Sequence, residues 1–416
     1  MTISLASTLS LPNGMTLANR IVKAAMSEGI ADAANDVTPR LLALYRRWSQ
    51  SGAGMLLTGN VAVDRFHLER PGNVVLDAKS DLAAMRAYAK AGTEAGNHLW
   101  MQISHTGRQV DAKINDAPLA PSSVEIDVVR GAGFNFARPH AMNENEILFA
   151  ISQFATTARL ARETGFTGVQ IHAAHGYLPS QFLSPLSNRR GDDWGGSLAN
   201  RSRFLIETIA AVRRAVGADF PISIKLNSSD FQKGGFTHAD CIELVGWLNT
   251  TSLDMLELSG GSLEQPKQVG VSLKDEGADA RAASTIAREA YFIDYAAKIR
   301  AAAKMPVMVT GGFRSVAGMN DALSRGDTDL IGIGRPMLAD PELPKRILAG
   351  EALVAPTPEA KINLFHLMGW FNTQFERLGD GLDPDLNLTG EEGVALFTAR
   401  EANVYAALKH HRQSAA

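Results

Sequence analysis

From residue 20 to about residue 350 the chain alternates between short apolar runs and longer stretches with helical spacing. The runs lie at Ile21–Met26, Met55–Val63, His98–Ser104, Gly168–Ala174, Pro221–Asn227, Asp254–Gly261, Met305–Gly312 and Leu330–Gly334. Their interiors (LLTGNVAV, VQIHAA, ISIKLN, MVTGG) show little alternation of polar and apolar positions. Continuous apolar character signals burial on both faces, as in a parallel sheet covered by helices. The spacing between the runs predicts helices over Pro39–Ser51, Asp81–Ala95, Asn145–Thr164, Ala199–Val216, His238–Asn249, Arg288–Ala303, Val316–Arg325 and Leu343–Leu348. Thr38 is a ready N-cap with Pro39 at the first helical position, and Gly96, Gly165 and Gly217 follow three of the ends. Eight successive βα units are what closes a (β/α)8 TIM barrel. The alternative, a doubly wound sheet, advertises a Gly-x-Gly-x-x-Gly turn after its first strand; Met26-Ser27-Glu28-Gly29 lacks that spacing.

Three parts lie outside the repeat. Residues 1–19 are expected to cross the barrel bottom. His105–Asn143, rich in Pro, Gly, Asp and Asn, reads as a long insertion after the third strand. The reading therefore divides the chain into a barrel, residues 1–350, and a C-terminal helical extension, residues 351–416. In the extension APTPEA reads as a linker, and helices are predicted over Ile362–Arg377 and Glu391–His411. It carries no glycine-rich nucleotide fingerprint.

Composition narrows the classes. The chain is 45% hydrophobic and 20% charged, enough to bury a large core. Forty-one Lys and Arg against 44 Asp and Glu leave a charge of −3, which supplies no electrostatic footprint for nucleic acid or an anionic membrane. The single cysteine, Cys241, excludes an intrachain disulfide and any multi-cysteine metal cluster. No run approaches the roughly 18 apolar residues of a membrane span, and no Lys or Arg precedes Arg20, which argues against a secretory signal. A cytoplasmic protein is expected, with oligomerisation left open.

In a TIM barrel the chemistry sits where the strands end. Those ends offer Ala24, Ala25, Met26 and Ser27; Thr58, Gly59 and Asn60; Gln102 and His105; His172, His175 and Tyr177; Lys225; Gly311 and Gly312; and Gly334 and Arg335. Glycines after strands seven and eight let backbone N–H groups approach an anion, and Arg335 adds a forked counter-charge suited to phosphate. The plainer alternative makes the glycines tight turns and Arg335 a surface ion-pair residue. His172 and His175 would face opposite ways in a strand, but both can turn into one pocket at a strand end. They could bind a metal with a distant third ligand, or pack as hydrogen-bonded core histidines. They could also aim two donors at a substrate oxyanion, with Tyr177 as proton donor.

The run from Val169 to Ser197 (VQIHAAHGYLPSQFLSPLSNRRGDDWGGS) resembles the signature of the Old Yellow Enzyme family of NADH:flavin oxidoreductases and ene-reductases. So do Asn19-Arg20-Ile21-Val22, Gln102-Ile-Ser-His-Thr-Gly-Arg108, Arg138-Pro139 through Glu146, Thr310-Gly-Gly-Phe313 and Gly332-Ile-Gly-Arg335, in the family's order from about residue 5 to 350. The resemblance implies a TIM barrel holding one non-covalent FMN, reduced by NADH or NADPH, and a small-molecule enone-type substrate. It implies that Ala24, Ala25 and Met26 line the flavin and that Ser27 stands where relatives have Thr or Cys. Gln102 would hold the pyrimidine edge, and Lys225 would replace an Arg beside it, keeping the charge and losing the fork. Gly311, Gly312, Gly334 and Arg335 match the phosphate site. His172 and His175 match the pair that binds the activating carbonyl, and Tyr177 matches the proton donor. Asn60 departs from the small residue expected beside the flavin. One cysteine excludes the iron–sulfur segment of the family's larger members. Competing readings are a lyase or aldolase using Lys225 as a Schiff-base amine, a metal-dependent hydrolase on the His pair, and a flavin-binding protein without turnover.

Overall fold

The computed structural model describes residues 3–126, 135–267 and 292–414. Eight parallel strands close on themselves in sequence order. They are β1 (Ile21–Lys23), β2 (Met55–Ala62), β3 (His98–Ser104), β4 (Gly168–Ala173), β5 (Ile222–Asn227), β6 (Met255–Ser259), β7 (Val307–Thr310) and β8 (Leu330–Ile333). Each predicted strand is present, several trimmed at an end. The barrel closes through Ile331, Gly332 and Ile333 of β8 opposite Ile21, Val22 and Lys23 of β1.

The outer ring comprises α1 (Pro39–Ser49), α2 (Leu82–Gly92), α3 (Glu144–Glu163), α4 (Leu198–Val216), α5 (His238–Leu248), α6 (Ile293–Ala302), α7 (Val316–Ser324) and α8 (Leu343–Leu348). Thr38 caps α1 by accepting from Leu41 N, as expected, and buries Leu41, Leu44, Tyr45 and Trp48 against the barrel. Asn143 and Glu146 form a capping box on α3, so that helix begins one residue earlier than predicted. α2 stops short of Ala95 because Thr93 Oγ1 turns back to Ala89 O at 2.8 Å. Residues 288–291 of the predicted Arg288–Ala303 helix lie outside the described residues.

Residues 3–19 meet the barrel bottom as expected. A hairpin of Leu9–Ser10 and Thr16–Leu17 packs Leu11 and Leu17 with Val22, Met55, Leu57, Trp100, Met255, Met308 and Leu330. That plug leaves the opposite mouth as the place for polar side chains.

The extension joins the same hydrophobic core. α9 (Leu367–Gly379) sends Trp370, Phe371 and Phe375 into it, and α10 (Gly390–Ser414) crosses α9. The crossing needs glycine on both helices. A Cβ on Gly369 would lie 2.6 Å from Val394 Cα, and one on Gly393 would lie 2.8 Å from Trp370 Cα. Farther along α10, Leu408 packs with Ala62, Leu68, Val75, Val110 and Ile114, over the loops that follow β2 and β3. The predicted Ile362–Arg377 helix begins later, at Leu367, after two short 3-10 turns. Asn363 Oδ1 accepts from Phe365 N and so competes with helical hydrogen bonding there.

Trp370 is fully buried where the extension meets the barrel. Trp370→Ala should lower unfolding free energy by about 3–5 kcal/mol, the range for a large core truncation. Urea denaturation followed by circular dichroism checks this; a loss below about 1 kcal/mol would mean the extension is only loosely attached.

Candidate active site

Inside the barrel, polar side chains from four adjacent strands form one buried chain. Gln102 on β3 donates through Nε2 to Gln170 Oε1 on β4 at 2.8 Å. Gln170 Nε2 donates to Glu257 Oε2 on β6 at 2.8 Å, and Lys225 Nζ on β5 lies 2.9 Å from Glu257 Oε1. Gln170 and Glu257 were not singled out in the sequence. Their signal is a long polar side chain within an otherwise apolar, fully buried strand.

At the end of β4 the chain turns sharply. His175 takes a left-handed conformation with φ of 60°, and Gly176 follows at 78°. Such a backbone costs a non-glycine residue about 1–3 kcal/mol. Two side chains hold it: Asn227 Oδ1 accepts from His175 N at 3.1 Å, and Gln109 Nε2 donates to His175 O at 2.8 Å. The turn sets the His172 ring 5.1 Å from that of His175 and 4.5 Å from that of Tyr177, measured between centroids. The three rings expected near the end of β4 therefore lie against one another. Burial, and then the Lys225 charge, push both imidazoles well below the ordinary histidine value. His172 Nδ1 accepts from Ala174 N at 3.3 Å, which leaves Nε2 as a donor, and His175 Nε2 pairs with Ser259 Oγ at 2.7 Å. Burial, and then the facing Glu69 carboxylate, raise the Tyr177 phenol well above its usual value.

Glu69 lies on the loop after β2, where no periodicity marks it. Its Oε2 accepts from Ser27 Oγ at 2.8 Å and from Asn60 Nδ2 at 2.7 Å. Asn60 is thus engaged with Glu69 and, through Oδ1, with Asn73 Nδ2 at 3.3 Å. The neighbouring Arg70 donates to Ser27 O and, at 2.7 Å, to Asn372 Oδ1 on α9. The extension therefore reaches the Ala24–Ser27 segment through one side chain. Beneath that segment a second buried network holds the backbone. Lys23 Nζ donates to Leu57 O at 2.8 Å, Glu28 Oε1 accepts from Gly59 N at 3.0 Å, and Tyr45 donates to the same carboxylate. Burial lowers the Lys23 ammonium to about 8.

On the far side of the mouth the ends of β7 and β8 lie beside the start of the Ala24–Ser27 segment. Ala24 N donates to Ile333 O at 2.9 Å, and Met26 Sδ approaches Gly334. Gly311 and Gly312 have φ of 111° and 91°, values that require glycine, and they leave the end of β7 as bare backbone. Arg335 lies 3.8 Å from Glu359 Oε1 of the extension, and Arg314 pairs with the same oxygen. This bare backbone, two arginines and the donor-and-acceptor amide of Gln102 fit an FMN phosphate and pyrimidine edge.

His105 is separate from the His172 pocket. Its ring stacks 4.2 Å from His67, and both turn toward Asp64, the one group of three converging His, Cys, Asp or Glu donors among the described residues. Backbone N–H groups decide its chemistry. Leu119 N donates to His67 Nε2 and Gly107 N donates to His105 Nδ1, at 2.9 and 3.0 Å. The nitrogens facing Asp64 therefore carry protons, the wrong tautomers for holding a metal. Burial alone would raise Asp64, but the hydrogen bonds from His67 and from Phe66 N outweigh it and hold the carboxyl well below its usual range.

Residues 8–353 match the NADH:flavin oxidoreductase / NADH oxidase family. The chain belongs to that family. The family's chemistry is that of a flavin oxidoreductase, with FMN as the flavin and NADH as the reductant that the family description names. The NADH-dependent flavin oxidoreductase iliE of Neonectria sp. is 38% identical over 355 residues, covering 81% of this chain but 46% of that protein, so the chain spans under half its length. The enzyme of the same name from Hypocrea jecorina is 34% identical over 358 residues, covering 82% of this chain and 88% of that one. Among solved structures, a 2-naphthoyl-CoA reductase in complex with 2-naphthoyl-CoA superposes with a TM-score of 0.77 at 25% identity, over 92% of this chain and 58% of that one. No helix among the described residues is long and apolar enough to cross a membrane.

The two depressed histidines give a pH prediction. Each is neutral when folded and titrates near 6.5 when unfolded, so the stability they support is whole above that pH. It is lost as pH falls below about 6.5, by up to roughly 1.4 kcal/mol per pH unit for each histidine. Imidazole NMR should show neither ring protonating down to pH 5.5 in the folded protein. A midpoint near 6.5 for either would contradict the burial argument.

Proposed function

We propose that the chain reduces the activated C=C bond of α,β-unsaturated carbonyl compounds, with NAD(P)H as the electron source. The observation that carries the reading is the convergence of His172, His175 and Tyr177 on one side of a barrel mouth whose other side suits a flavin. When bound, FMN supplies hydride transfer between the nicotinamide and the substrate's β-carbon. His172 and His175, kept neutral, donate hydrogen bonds to the carbonyl oxygen and draw electron density from the β-carbon. Preset donors toward a developing oxyanion are worth about 3–4 kcal/mol each. Tyr177 keeps its proton at neutral pH and delivers it to the α-carbon. Gln102 and Lys225 would hold the pyrimidine edge, Ala24 to Ser27 and Asn60 would border the ring, and Gly311, Gly312, Gly334 and Arg335 would hold the phosphate. The name of the 2-naphthoyl-CoA reductase supports the substrate class, since its ligand has C=C bonds conjugated to a thioester carbonyl.

The rival chemistries have weaker support. A Schiff-base role needs a free amine, and Lys225 is ion-paired with Glu257. A hydrolytic metal on His172 and His175 needs further ligands, and among the described residues no Asp, Glu or Cys converges with them.

Acid-released cofactor should run as FMN on chromatography; FAD, or no flavin, would sink the reading. Tyr177→Phe separates hydride delivery from protonation. Reduction of the holoenzyme by NAD(P)H should keep nearly its normal rate, while reoxidation by cyclohexenone slows about 10²–10⁴-fold, the range for a positioned general acid. Equal reoxidation rates in both proteins would retire Tyr177 as the acid.

A further inference from the structure

Glu257 has no part in the chemistry above, yet it is fully buried at the centre of the polar chain inside the barrel. Both of its oxygens are engaged, Oε1 with the Lys225 ammonium and Oε2 with Gln170 Nε2. An ionised carboxylate only accepts hydrogen bonds. Gln170 must therefore turn its NH2 group toward Glu257 and its carbonyl toward Gln102. Gln102 must in turn spend one Nε2 proton on that carbonyl, as the 2.8 Å contact shows. What remains on Gln102 is one N–H donor and the Oε1 acceptor side by side. An imide edge, with an N–H flanked by carbonyls, needs that pair. Reversing any amide in the chain would set two donors or two acceptors against each other.

The same carboxylate sets the charge of the site. Lys225 stands opposite His172 on β4 and opposite Glu257 on β6 in the strand register. In an enclosed interior a unit charge acts several-fold more strongly than in water. We infer that Glu257 is a positioning residue for the cofactor: it orients the amides of Gln170 and Gln102, and it offsets the Lys225 charge. It thereby holds the flavin's reduction potential below the value Lys225 alone would give. The inference rests on the flavin reading of the site and deepens it.

The test is the two-electron midpoint potential of FMN-loaded protein, measured by dye equilibration. Glu257→Gln removes the charge at constant shape. It should shift binding at least tenfold toward reduced FMN, about 30 mV upward for a two-electron couple. Glu257→Asp keeps the charge and the acceptor-only character, and its potential should stay at the wild-type value. Lys225→Met should shift the potential downward. If Lys225→Met lowers it while Glu257→Gln leaves it unchanged or lower, the inference is overturned and the flavin reading stands. If Lys225→Met changes nothing, Lys225 is not beside the flavin, and the site reading falls together with the inference. Should Glu257→Gln fail to fold, Lys225→Met/Glu257→Gln replaces a buried ion pair with a neutral pair, which interiors tolerate well. Its potential should stand at least tenfold in binding ratio above that of Lys225→Met alone, and equal potentials would overturn the proposal.

Discussion

Lys225 and Glu257 can occupy the centre of this barrel only as a pair. Either charge alone would lose several kcal/mol of hydration on burial, and their 2.9 Å contact with each other offsets that loss. Once the pair is in place, the polar arrangement follows by hydrogen-bond logic. Gln170 donates to the carboxylate, Gln102 donates to Gln170, and the mouth of the barrel acquires a cation and an oriented amide. Burial, and then this cation, keep His172 and His175 neutral and able to donate. One buried ion pair thus connects four strands to the two imidazoles that face the pocket.

The rim depends on a different constraint, the route of the backbone after each strand. The left-handed turn at His175 brings two histidines of opposite strand parity into one pocket, and Asn227 and Gln109 hold it there. Next to this turn, Glu69 gathers Ser27, Asn60 and the Tyr177 hydroxyl around one carboxylate. Arg70 continues that cluster to Asn372, so the C-terminal extension belongs to the architecture of the site as well as to the core. Glu359 gives the extension a second point of approach, at Arg314 and Arg335.

The barrel was legible in the sequence because apolar runs and helical spacing are local signals, and eight of them in succession admit few folds. The strand-end residues were legible for the same reason, since fold and strand position together say which side chains reach the mouth. Gln170 and Glu257 were within reach of that logic but look like interruptions of a hydrophobic run until a partner is known. Glu69, Arg70 and Glu359 were not legible. They lie on loops or in the extension, and only the tertiary path brings them to the rim. The early break of the Ile362–Arg377 helix has a local cause, the Asn363 side chain, which periodicity alone does not weigh.

FMN, we propose, lies across this mouth with His172 and His175 above it as the carbonyl clamp. A crystal structure of the FMN-loaded protein soaked with 4-hydroxybenzaldehyde tests it most directly. The pyrimidine edge should lie against Gln102 and Lys225, the phosphate at Gly311, Gly312, Gly334 and Arg335, and the phenolic oxygen within hydrogen-bond distance of both histidines. A flavin bound elsewhere, or a phenol oxygen away from His172 and His175, would contradict it.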